Sequence, residues 1–179
     1  VEIRQYVGEG LKTLVPRVIG QTAEAVQKKP GASLEGKQWD ESSFFRELEA
    51  RRGAAEAMVA RAILDWAKKK KLGIWWGKGR KSGSFFPMCV HKGISHWLIS
   101  VWTYGTLEVQ FEMMKTRSPF ADESRRLELL RRLNEIPGIA IPADATGRRP
   151  SIALSALNDT TLNQFLETLN WVVQEIKPE

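Results

Sequence analysis

Cysteine occurs once in the 179 residues, at Cys89, and histidine twice, at His91 and His96. A single thiol excludes an internal disulfide, and a free one in an apolar stretch suits a reducing cytoplasm. With so few soft ligands and no paired acids beside them, the composition argues against a zinc site. Cys89 and His91 are two residues apart on one strand face, where a packing thiol is the simpler reading than a catalytic dyad. No apolar run approaches the ~18 residues of a membrane span and no signal-peptide pattern opens the chain, so a cytoplasmic protein without a membrane partner is expected. A phosphate loop of Walker or Rossmann type is also missing, since Gly77-Lys78-Gly79 leads into a strand pattern and not into a helix. No cofactor is expected.

What is present is a block of short β-like runs between Leu72 and Lys115, separated by glycine turns. Leu107, Val109, Phe111 and Met113 alternate with Glu108, Gln110 and Glu112, the pattern of a half-buried strand. From Ser95 to Tyr104 both registers are apolar: Trp97, Ile99 and Val101 on one side, Leu98, Trp102 and Tyr104 on the other with only Ser100 among them. Such a strand belongs in the middle of its sheet. Lys92-Gly93 and Tyr104-Gly105 supply hairpin turns, so the connections should be antiparallel. Pro87 has no N–H to donate, which marks an edge strand or a bulge.

Helices are expected on either side of this block. Asp40 or Ser42 caps a long helix through Phe45, Leu48, Ala55, Met58, Val59, Ala62 and Trp66, weakened in the middle by Gly53 and ended by Lys68 to Lys71 and Gly73. Ser118-Pro119 reads as the entry to a second helix with Leu127, Leu130, Leu133 and Ile136 inside. A strand pair at Ile139 to Ile141 and Ser151 to Ala156 follows. A last helix starts at Asn158 or Asp159. The expected architecture is a two-layer α+β fold, a mainly antiparallel four- to six-stranded sheet packed with three helices in the order α-β-β-β-β-α-β-α. Residues 39–179 form that single domain. Residues 1–38 read as an extended arm and linker: Val1 to Val7 alternates like a strand, Gly8-Glu9-Gly10 turns, and residues from Gln21 to Gln38 have linker composition. The arm has the look of the tail of a preceding domain in a longer chain.

Charge is unevenly placed. The net charge is +6, yet between Ala67 and Gly93 there are eight Lys or Arg residues and no acid, against 19 basic and 21 acidic residues elsewhere. The positive excess therefore sits beside the first hairpin, where Trp75-Trp76 and Phe85-Phe86 flank Lys78, Arg80 and Lys81. Alternation sends one member of each aromatic pair away from the core. Rings for stacking, cations for phosphates and glycines for close backbone approach suit DNA or RNA. The expected contacts are Trp75 or Trp76 as the stacking ring and Lys78, Arg80 and Lys81 on phosphates, with Lys68 to Lys71, including Lys70 and Lys71, extending the surface. A plainer reading packs the tryptophans under helices and leaves the charged turn as a solvated hairpin tip. Another closes the surplus aromatic face, with Trp102 and Tyr104, against a second copy as a homodimer or against an upstream domain.

Hydrolytic chemistry finds little support. A metal-dependent nuclease core of the PD-(D/E)XK kind needs an acid on its second strand and an acid-x-lysine on its third. Phe85 to His91 has no carboxylate, and Glu108-Val109-Gln110 puts glutamine where lysine should stand, so Glu108 and Glu112 read as the wet face of a strand. The blocks WWGKGRKSGSFFP, HWLISVWTYGTLEVQF, PFADESRRLELLRRLNEIPG and RRPSIALSAL, together covering about residues 60 to 176, resemble the C-terminal region of a group of uncharacterised bacterial proteins. Some of those carry a PD-(D/E)XK nuclease-like domain upstream. The resemblance implies work on DNA or RNA for the parent chain and assigns no site residue; the missing acid pair and Gln110 in place of lysine put any nuclease centre outside these residues, which leaves this part as a non-catalytic accessory.

Overall fold

A computed structural model describes residues 2–8, 11–17 and 36–178. The chain divides into two compact units, Val1–Glu35 and Gly36–Glu179. In the first, β1 (Glu2–Gly8) and β2 (Leu11–Arg17) pair antiparallel, Glu2 opposite Arg17. The linker composition read from Gln21 onward falls outside the described residues as far as Glu35. At its far end the reading needs correction: Lys37 and Gln38 form a short strand, β3 (Lys37–Gln38), instead of ending a linker.

The second unit is an α+β fold. One layer is an antiparallel six-stranded sheet, made by β4 (Gly73–Trp76), β6 (Ser84–His91), β7 (Ile94–Trp97), β8 (Ile99–Trp102), β9 (Thr106–Val109) and β10 (Ser151–Ala153). Its order is β10-β9-β8-β6-β4, with β7 also pairing β6. The short β5 (Lys78–Gly79) pairs with β3 instead. Against one face lie α1 (Glu41–Arg52), α2 (Ala54–Lys69), a one-turn α3 (Phe111–Met114), α4 (Glu123–Asn134) and α5 (Asp159–Ile176). Phe44, Leu48, Ile63 and Leu64 meet Phe85, Ile99, Val101 and Leu107 in a continuous core that Phe165 and Leu169 extend.

Local chemistry explains most of the boundaries. The Asp40 carboxylate accepts from the Ser43 backbone N–H at 2.7 Å and Ser43 returns a bond to Asp40, a capping box. Asn158 and Thr161 do the same for α5. The expected long helix is two helices, because Gly53 takes φ +87°, a conformation that only glycine adopts cheaply and that breaks the helical ladder. The second helix starts later than Ser118-Pro119 suggests: Asp122 accepts from the Ser124 N–H and opens α4 at Glu123. Leu127 is exposed while Leu129 joins Leu130 and Leu133 inside. Ile139 to Ile141 is not a strand; Ser151–Ala153 is, paired with β9.

Two departures bear on the site. Strand β9 stops at Val109, since the Gln110 N–H bonds Leu98 O and Gln110 O then accepts from Met114 N–H, turning Phe111 and Met113 into α3. The run Ser95 to Tyr104 is broken at Leu98. Ser84 pairs with Trp102 and Phe85 with Val101, but Met88 pairs with Trp97 and Cys89 with His96. Phe86 and Pro87 therefore face three residues, Leu98 to Ser100, which is a bulge of one residue. Pro87 is its cause. Its carbonyl accepts from Leu98 N–H, and on that same side it has no N–H to give back. Neither reading of Pro87 holds as made: β6 is paired on both sides and so is no edge, and the bulge puts its extra residue on the neighbouring run, not on the strand of Pro87.

Candidate functional site

Directly opposed residues of paired strands share a face. Starting from Phe85 on the core side, alternation and register send Trp75, Phe86, Met88, Val90, Trp97 and Trp102 to the other face. Trp97 is the correction here. Unbroken alternation groups it with Ile99 and Val101, and the bulge at Leu98 reverses it.

These rings touch one another. Trp75 meets Phe86 at 5.1 Å and Trp97 at 5.6 Å, Phe86 meets Trp97 at 5.3 Å and Trp102 at 6.2 Å, all edge to face. Tyr104, in the β8–β9 turn, stacks on Trp102 at 5.4 Å and 22°. The two ends of the row are the most open, Trp75 at 44% and Tyr104 at 41% exposure. Among the described residues, the ring contacts of these five are with each other.

Trp76 is not a stacking ring. It points to the helix side, between Phe44 of α1 at 5.7 Å and Phe85 at 5.4 Å, as strand alternation after an outward Trp75 requires. The cations are placed less simply than the sequence suggests. Lys78, Arg80 and Lys81 are exposed beyond one end of β4, and the Lys81 carbonyl accepts from the Arg51 guanidinium at 2.6 Å. Lys68 to Lys71 lie before the other end of the same edge strand, so Lys71 and Lys78 are up to about 23 Å apart along an extended chain. Lys68 is bridged to Glu41 at 2.8 Å. Lys70 and Lys71 are exposed. Cations thus bracket Trp75 from both ends of β4.

Trp39 is a residue that the sequence reading passed over. It is buried, its ring lies against Gly83, its Nε1–H donates to Gly79 O at 3.0 Å, and its backbone N–H bonds Gly77 O. The basic turn is pinned through it. A tryptophan next to a linker composition was the available signal.

A polar group sits at the far side of the aromatic row. Ser100, fully buried, receives Nε1–H of Trp102 at 3.0 Å and Nε2–H of Gln110 at 2.9 Å, and lies 3.1 Å from Glu108 Oε2. Burial first, then the charge of Glu108, pushes the Tyr104 hydroxyl above its ordinary value. Glu112 and Cys89, the acid and thiol weighed for chemistry, lie outside this group. Glu112 is on α3, not a strand, and pairs with Arg149 at 2.7 Å. Burial raises the Cys89 thiol and lowers His96, which stands opposite it across the strands. Among the described residues, no three His, Cys, Asp or Glu side chains gather as a metal site, and no helix is long and apolar enough to cross a membrane. No family model, curated protein or solved structure matches the chain.

Proposed function

We propose that the outer sheet face binds single-stranded nucleic acid, with Trp75 and Tyr104 as the rings open to bases and the cations at the two ends of β4 meeting phosphates. One observation carries this reading: five packed aromatic rings share a face with an edge strand whose flanks hold Lys70 and Lys71 on one side and Lys78, Arg80 and Lys81 on the other. Stacking a base on an aromatic side chain contributes about 1–3 kcal/mol and tolerates any sequence, while lysines and arginines release counterions from the backbone. A duplex hides its base faces, so a single strand is the better occupant. In line with the resemblance to parts of bacterial proteins with a nuclease-like domain, the unit serves as a binding accessory to chemistry carried elsewhere in its parent chain.

The test is fluorescence anisotropy with a labelled mixed-sequence single strand across a salt series. Trp75→Ala should weaken binding roughly 5- to 150-fold. Reversing Lys78, Arg80 and Lys81 together to Glu should also flatten the slope of log K against log salt by about 2. Unchanged affinity in both variants sinks the reading.

One observation favours a protein-binding alternative: the apolar strip continues through Met88 to the exposed Val90. If a second chain covers the face, light scattering will show a salt-insensitive dimer that retards no single strand.

A further inference from the structure

Among the described strand residues on the outer face, Glu108 is the one that carries a charge, and its sign is wrong for a surface that meets phosphates. It is opposite Ser100 on β8 and Ser151 on β10, two positions along from the Trp102–Thr106 pair. The proton inventory around Ser100 is closed. Trp102 Nε1 and Gln110 Nε2 can only donate, so the Ser100 oxygen accepts from both and its own hydrogen goes to Glu108 Oε2. That bond holds the carboxylate still, close enough for its charge to act on the hydroxyl of Tyr104, an exposed ring stacked on Trp102. Among the described residues nothing donates to Glu108 Oε1.

We infer that Glu108 reads guanine in the bound strand, taking N1–H and N2–H of a base that stacks at the Tyr104 end of the aromatic row. This deepens the single-strand reading above and rests on it. The chemistry selects one base. Guanine alone presents two adjacent donors on its Watson–Crick edge, which match the two oxygens of a carboxylate. Uracil offers one donor between two carbonyl acceptors, and adenine and cytosine each set a donor beside an acceptor, so all three turn a lone pair toward Glu108. A fixed acid on an otherwise uncharged face thereby trades a small repulsion of the backbone for discrimination among bases.

The full chain is titrated with an oligouridylate carrying one central guanine, and with the same strand carrying inosine or adenine there. Guanine should bind roughly 5- to 150-fold more tightly than adenine. Inosine, which keeps N1–H and lacks the 2-amino group, should fall between. Glu108→Gln should erase the difference between guanine and adenine; should that variant not fold, the three-base series on the unaltered protein still decides. Binding of all three strands with equal affinity overturns the guanine assignment and leaves the single-strand reading standing. Failure to bind any strand, including plain oligouridylate, overturns both.

Discussion

Replacing Ser100 with alanine removes one oxygen and disturbs three partners. The Gln110 side chain is in a residue only 2% exposed, so its amide has no water to turn to and stays unsatisfied, at a cost of about 1–3 kcal/mol. Trp102 and Glu108 are half-buried and can exchange the lost bond for solvent, adding at most about 1 kcal/mol between them. Alanine leaves the strand backbone intact and changes β-propensity by a few tenths of a kcal/mol. The expected loss is about 1–4 kcal/mol, a large share of the roughly 5–15 kcal/mol that holds a domain together. The sharper test is Ser100→Ala combined with Gln110→Leu. Gln110 makes no side-chain cap to α3, so removing both members of the bond should restore about 1–2 kcal/mol relative to the sum of the single variants. Urea unfolding followed by tryptophan fluorescence and far-ultraviolet circular dichroism measures all four states, with the m-value expected to stay constant. A Ser100→Ala change within ~0.5 kcal/mol of the parent, or strict additivity in the double variant, would refute the reasoning.

Three other outcomes are expected. Gly83→Ala puts a Cβ 2.5 Å from the Trp39 ring and should lower stability by about 1–3 kcal/mol, read from thermal melts; a neutral result means that Trp39 does not pin the basic turn. Cys89, buried and with its thiol pushed up by that burial, should react with a thiol reagent at the rate of global unfolding at pH 7 to 8; a fast native reaction would show the pocket to be open. His96 is held below its ordinary value by burial, then by Arg117 and His91, so the unfolded chain binds a proton that the fold refuses. Stability should fall as pH drops through about 6.5, the unfolded value, and level off below the folded one, and His96→Gln should flatten that slope in urea titrations at pH 5 to 8.

The period of two in Thr106 to Val109, the glycine turns at Lys92-Gly93 and Tyr104-Gly105 and the capping residues Asp40 and Asn158 are local signals, and each marks an element that is in place. The α+β class follows from their order. The aromatic face was only half legible. Adjacent tryptophans announce that one ring leaves the core, but they do not say which. Nor does alternation survive a bulge: Trp97 changed sides through a single extra residue at Leu98, set by an imino group on the neighbouring strand.

Sequence by itself therefore settled what depends on a few bonded neighbours: the alternation of Thr106 to Val109, the glycine turns, the caps at Asp40 and Asn158, and that Trp75 and Trp76 part company across the sheet. Tertiary structure decided the rest, because a strand has two equivalent sides until a helix packs on one of them. The arrival of Phe44 over Trp76 and Phe85 made that side the core and left Trp75, Phe86, Trp97, Trp102 and Tyr104 to the other. Only strand pairing could bring Ser100 and Glu108 together beneath the same rings, since the seven residues between them include the turn that reverses the chain.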